Sequence, residues 1–180
     1  MRLLLIGKAG AGKDTVADYL VEKYGFQRFA FADKLKEIIQ DLWPDAFKNG
    51  KPRKLLQDVG TKMREIDKDV WVNYVMRQIG NKDRVVISDC RLMNEYEIAV
   101  RYDFVPILIK CDEKVRLERL KKRDGHVLSN AEANHESETE MTKMSAGFTI
   151  NNSGSLQALY WDIDYVMRYL GVRPCLIQGA

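Results

Sequence analysis

The sequence predicts a three-layer α/β fold: a central five-stranded parallel sheet with helices on both faces and a lid segment, all within one domain spanning 1–180. Two patterns point there. Short apolar runs alternate with longer amphipathic ones, and the first apolar run, Leu3-Leu4-Leu5-Ile6, leads into a glycine-rich loop and then a helical pattern from Val16.

The elements follow in order. Residues 3–6 read as the first strand, and 15–24 as a helix stopped by Gly25. A strand over 28–30 precedes a helix over 34–42 that Pro44 ends, and helices over 53–64 and 69–80 follow. The turn Gly80-Asn81-Lys82-Asp83 introduces a strand over 85–88, then a helix over 94–102. A strand over 107–110, a helix over 113–122, a strand over 148–150 and a helix over 155–170 complete the pattern. Residues 124–142 are rich in Glu, Asn, Ser and Thr without apolar periodicity, and they read with the preceding turn as a lid at about 119–142. His126 and His135 in that stretch read as lid contacts or solvated groups, because no second His or Cys stands at metal-ligand spacing.

Composition narrows the class. Hydrophobic residues make up 46% and charged residues 31%, as in ordinary globular domains. A net charge of +3 is too small to indicate nucleic-acid binding and suits phosphorylated small molecules. The apolar run at 3–6 is too short for a signal peptide or membrane span, so a cytoplasmic protein is expected. Cys90, Cys111 and Cys175 show no C-x-x-C spacing and read as reduced thiols.

The sharpest motif is Gly7-Lys8-Ala9-Gly10-Ala11-Gly12-Lys13-Asp14-Thr15. It matches the phosphate-loop pattern G-x-x-x-x-G-K-[ST] except at Asp14. Glycines let backbone amides curl around an anion, and the following helix adds about half a positive charge at its N-terminus. Gly7, Ala9, Gly10, Ala11, Gly12 and Thr15 are thus expected around the phosphates of a nucleoside triphosphate, with Lys13 reaching its terminal phosphates. A carboxylate beside a triphosphate requires magnesium or its water shell between them, so Asp14 predicts an altered Mg2+ contact, its exact role left open.

Other candidates lie where strands end, the edge at which open parallel sheets bind ligands. Asp89 closes the third strand, placed to hold a magnesium water shell or to cap the next helix; Arg91 is placed for a phosphate or for a pair with Glu95. Asp33 sits beyond the second strand, positioned to cap a helix and contact substrate. Gly60 within a helical run costs about 1 kcal/mol relative to Ala, which predicts a helix end or a close approach by a ligand. Arg64 beside it is a candidate phosphate clamp or a solvated charge. Arg116, Arg119 and Arg123 share a helix face leading into the polar segment. They read either as solvated surface or as lid arginines, which can contribute roughly 10³–10⁵ in rate. The run from Asn151 to Ser155 caps the last helix, with a contact from Asn151 to the triphosphate's base as the alternative. Phe31, Trp43, Trp71 and Tyr74 are available to stack on a base or to pack a core.

Taken together, GKAGAGKDT, FADKLK from Phe31, LLQDVGTKMR from Leu55, VVISDCRLMNE from Val85, HESE from His135 and NNSGSL from Asn151 resemble the deoxynucleoside monophosphate kinases of bacteriophages and related bacterial proteins. The resemblance spans nearly the whole chain. Lys34 stands where such segments carry proline. The likeness implies a phosphate-loop kinase fold, ATP as donor, a deoxynucleoside monophosphate as acceptor, Mg2+ as metal, and a possible homodimer. By motif position it implies Lys13 at the transferred phosphate and Asp33, Arg64 and Arg91 at the acceptor. Lys36, Gln57, Trp71 and Glu95 join the expected acceptor side, Arg116 and Asn151 the donor side, with Asp14 and Asp89 toward the metal. A kinase for another small acceptor shares the donor half of this site. A nucleotide-dependent regulatory module is the rival from a different class.

Overall fold

The computed structural model describes residues 1–48, 50–124 and 140–175. Five strands, β1 (Arg2–Ile6), β2 (Gln27–Phe29), β3 (Val85–Cys90), β4 (Phe104–Lys110) and β5 (Phe148–Asn151), form one parallel sheet in the order β2-β3-β1-β4-β5. The helices among the described residues are α1 (Lys13–Tyr24), α2 (Asp33–Leu42), α3 (Arg53–Ile66), α4 (Val70–Ile79), α5 (Met93–Arg101), α6 (Glu113–Asp124) and α7 (Leu156–Tyr169).

Period-two alternation assigns each strand residue to a layer. Leu3 and Leu5 of β1, with Ile107 and Ile109 of β4, pack against Val16 and Leu20 of α1 and Ile163 and Met167 of α7. Leu4 and Ile87 face the opposite layer, where Val72, Val75 and Ile79 of α4 meet Ala99 of α5. β1 is covered on both faces, which is why it reads as an uninterrupted apolar run. Each such fully buried Leu or Ile contributes about 1.5–3 kcal/mol. A third cluster of Leu35, Ile39, Leu56 and Trp71 ties α2 and α3 to α4 beside the sheet's carboxyl edge.

The structure departs from the expected boundaries in instructive ways. β4 begins at Phe104, and Pro106 lies inside it. The Pro106 carbonyl accepts from the Gly147 amide just before β5 begins, so the missing N–H sits where no partner strand has started. β3 runs on to Cys90, and its register against β1 slips by one residue between Leu4 and Ile6. That bulge falls at Ser88-Asp89 and re-aims both side chains at the sheet's carboxyl edge. Gly60 is not a helix end: it lies inside α3, where a Cβ would come 3.1 Å from Leu35 Cδ2, and its carbonyl accepts from Trp71 Nε1 at 3.3 Å. The missing side chain lets α3 lie close against Leu35 of α2. Asp33 does not cap α2; Ala32 occupies that position, while the Asp33 carboxylate accepts from Lys36 Nζ at 2.7 Å. Ser155 does cap α7, accepting from the Ala158 amide.

Candidate active site

The loop between β1 and α1 curls at the carboxyl edge of the central strand. Gly12, at φ +95°, is the N-cap of α1, and a Cβ there would lie 2.0 Å from Asn152 Nδ2. A Cβ on Gly10 would meet Leu120 Cγ at 2.8 Å. The loop is therefore wedged between α6 and the turn that follows β5. Three buried donors hold its carbonyls from outside. Lys13 Nζ donates to Gly7 O and, at 3.3 Å, to Lys8 O. Arg116 Nη1 donates to Ala9 O at 2.9 Å, and Asn152 Nδ2 to Ala11 O at 2.8 Å. These donors, with the Ala11 amide bonded to Lys8 O at 3.1 Å, hold the curled loop in shape at the head of α1.

Asp14, in the first turn of α1, forms an ion pair with Arg28, the middle residue of β2. Arg28 also donates to Asp18 Oδ1 at 2.8 Å and to Ser88 Oγ at 3.0 Å. A guanidinium thus neutralises the carboxylate that replaces the usual hydroxyl residue.

Beyond the loop opens a cavity of about 480 Å³. Gly10, Gly12, Lys13, Asp14 and Thr15 of the loop and α1 line it, as do Lys36, Lys51, Arg53, Arg64 and Arg91, and Arg119 and Arg123 from α6. The cations crowd one another. Loss of hydration at the wall, together with repulsion from Arg91, Lys36, Arg53 and Arg123, lowers the Lys51 ammonium to about 8. Such a wall is built for an anion of more than one charge.

Two carboxylates support it. Asp89 Oδ1 accepts from the Phe31 amide at 2.7 Å and Oδ2 from the Ala32 amide at 3.0 Å, locking the β2 exit to the end of β3. Glu95, only 7% exposed, accepts from the amides of Arg91 and Leu92 through Oε2 and so fixes the first turn of α5. Burial, with repulsion from Asp89, raises its carboxyl to about 7, against the pull of those two amides and of Arg64.

Residues 3–140 match the family described as AAA domain. The chain belongs to the AAA domain family. Among relatives, this AAA-domain chain is 31% identical over 123 residues to a putative deoxynucleotide monophosphate kinase of Acanthamoeba polyphaga mimivirus, covering 51% of this chain and 64% of that protein. It is 31% identical over 141 residues to an adenylate kinase of Bartonella henselae, covering 68% of this chain and 66% of that one. The chain thus spans about two thirds of the length of these relatives. The crystal structure of shikimate kinase from Bacteroides thetaiotaomicron superimposes with a TM-score of 0.55 at 14% identity, over 95% of this chain and 98% of that one, which shows a shared fold.

Within the AAA domain, most residues singled out in the sequence converge on this cavity. Gln57, Trp71, Arg91 and Glu95 line it with Lys36 and Arg64, although the Trp71 indole is buried with its N–H committed to Gly60. Arg116 is 5% exposed and bound to Ala9 and Glu113, a strut beneath the loop rather than a mobile arginine. Arg119 lines the cavity while its Nη1 donates to Asn152 O at 2.9 Å. Asp33 and Asn151 stand outside the lining. Asn151 is exposed, and its Oδ1 accepts from the backbone and hydroxyl of Ser153. His126, His135 and most of the expected lid lie outside the described residues.

Arg28, Lys51 and Arg53 escaped the sequence reading, and Asn152 was read only as part of the run from Asn151 to Ser155. An unexpected carboxylate at Asp14 was the clue to a nearby cation, and the Lys51-Pro52-Arg53 cluster before α3 was legible as charge. Nothing in the sequence separated Asn152 from Asn151, because only the strand register decides which one turns inward.

Proposed function

We propose that this chain is a kinase that transfers the γ-phosphate of ATP to a deoxynucleoside monophosphate. The observation that carries the reading is that one cavity is lined both by the glycine-rich loop with Lys13 and by a cluster of cations around Lys51, so two anions can be held together in it. The relatives named as nucleotide and adenylate kinases favour a nucleotide at both ends.

The chemistry needs alignment and charge neutralisation more than covalent help. The loop amides and Lys13 hold the donor phosphates. Lys36, Lys51, Arg53, Arg64 and Arg91 hold the acceptor phosphate, whose oxygen attacks the γ-phosphorus as ADP departs with the bridging oxygen. Arg119 and Arg123 line the same cavity, Arg123 close enough to repel the Lys51 ammonium, and would stabilise charge on the transferring group. Magnesium, when bound, supplies further neutralisation across the phosphates. It takes one or two protein ligands beside phosphate and water. Thr15 at the head of α1 would hold it directly, while Asp14, paired with Arg28, and Asp89 would accept from waters of its shell. Among the described residues no group of three or more His, Cys, Asp or Glu is placed to hold a metal.

ADP formation from ATP and magnesium, measured with a panel of deoxynucleoside and ribonucleoside monophosphates, tests the reading. Transfer to one or more deoxynucleotides, with the diphosphate identified by chromatography, is expected. ADP formation that none of them accelerates would refute it, and acceleration by a non-nucleotide acceptor such as shikimate would replace it.

A further inference from the structure

A second cavity opens at the opposite end of α1 from the glycine-rich loop. The 12 residues of α1 rise about 18 Å from Lys13 to Tyr24. Because the helix runs back along a parallel sheet, its last turn lies at the sheet's amino edge. There a volume of about 460 Å³ is lined by Lys23 and Tyr24 of α1, by Asp164 and Arg168 of α7, and by the segment from Gly171 to Pro174. The two cavities share no lining residue, so this one is independent of what the first binds.

The chain path builds it. Gly171, at φ +69°, turns the chain back at the end of α7, where the Val172 amide donates to Met167 O at 2.9 Å. The Cys175 amide then donates to Lys23 O at 2.9 Å, so the segment crosses from α7 to α1 and is held at both ends. Arg173 is presented from this strap.

Charge decides what the cavity suits. Lys23, Arg168 and Arg173 face a single carboxylate, Asp164, which leaves the lining at +2. That carboxylate is already satisfied: its Oδ1 accepts from the Tyr19 hydroxyl at 2.9 Å and the Tyr24 hydroxyl at 2.7 Å, and its Oδ2 from Lys23 Nζ at 2.7 Å. The guanidinium groups of Arg168 and Arg173 have no hydrogen bond or ion pair among the described residues. Open carbonyls at a helix C-terminus repel an anion. Here Lys23 O and Tyr24 O are taken by the Cys175 amide and by Arg84 Nη1 at 2.6 Å, and Met167 O and Arg168 O by the amides of the strap.

We propose that this cavity is a second anion site, which binds a phosphate group, free or as the monoester of a small molecule, between Arg168 and Arg173. Two guanidinium forks offer paired N–H donors to the oxygens of a dianion, a geometry a lysine ammonium cannot supply. Val172 and Pro174 form an apolar flank against which an organic group on the phosphate can lie.

Backbone amide resonances of the isotope-labelled full chain test the proposal, because they read the two cavities separately. Inorganic phosphate is expected to move Gly171, Val172 and Arg173 saturably, with half-saturation in the millimolar range or below. Combining Arg168→Ala with Arg173→Ala is expected to weaken this binding about tenfold or more, with Gly10 and Gly12 responding to ATP as in wild type. Both side chains are exposed, so the fold is expected to survive, which circular dichroism checks. Thymidine monophosphate that moves the same amides at lower concentration than phosphate makes an organic monoester the ligand, and an equal or weaker response makes it free phosphate. Amides that do not respond, or that respond unchanged in the double variant, overturn the proposal. An equal response to chloride at the same ionic strength marks an adventitious ion only and overturns it too.

Discussion

Replacing Glu95 by glutamine should change how stability depends on pH. Glu95 is buried and titrates at about 7 in the folded chain against an ordinary 4.5. Between those two values the folded state holds a proton that the unfolded state has released. The contribution is therefore fully present below pH 4.5 and is lost as pH rises through about 7. At 1.36 kcal/mol per pH unit, the shift is worth about 3 kcal/mol. Glutamine cannot ionise, and its amide oxygen can still accept from the Arg91 and Leu92 amides that Glu95 serves. Urea unfolding of both proteins from pH 5 to pH 8 should thus show Glu95→Gln gaining about 3 kcal/mol on wild type, with most of the change between pH 5 and 7. Comparing the two proteins cancels every other titrating group. Parallel stability profiles would show that Glu95 ionises normally and that burial in this wall costs it nothing.

Three further outcomes follow from the same geometry. Arg28→Met leaves Asp14 unneutralised beside the donor phosphates and should weaken ATP binding about tenfold, whereas adding Asp14→Ser should restore most of it; calorimetry that finds the double variant as weak as the single one contradicts the pairing. Gly12→Ala forces a side chain into φ +95° and onto Asn152 Nδ2, a strain of about 1–3 kcal/mol before the clash is counted, so the thermal shift induced by ATP should vanish while the protein still folds. Lys51 loses its charge near pH 8, so the KM for the acceptor should climb above that pH in wild type and stay flat to about pH 9.5 in Lys51→Arg; identical profiles would remove Lys51 from the acceptor wall.

The sheet and its helices were legible because their signals are local. Leu3 to Ile6 announces a strand covered on both faces, and Gly25, Pro44 and Gly80 stop helices by their backbone chemistry alone. The curled loop before α1 was legible for the same reason, its glycine pattern being written in consecutive residues. What the sequence concealed depends on register and on contacts between distant segments. The bulge at Ser88-Asp89 arises from a slip against β1, Arg28 finds Asp14 across the gap from β2 to α1, and Asn152 rather than Asn151 reaches Ala11 O. Arg116 shares a helix face with Arg119 and Arg123 but sits one turn deeper, where the loop covers it, so a common face did not mean a common role.

The central claim is that one cavity holds a triphosphate and an acceptor phosphate end to end. Its most direct test is the dissociation constant of a single molecule spanning both ends, adenosine joined to a deoxynucleoside through five phosphates, set against those of ATP and the monophosphate alone. If both ends belong to one site, the linked compound should bind roughly 10²–10⁴-fold more tightly than either part and compete with both. Binding no tighter than ATP, with the monophosphate still able to bind beside it, would contradict the account.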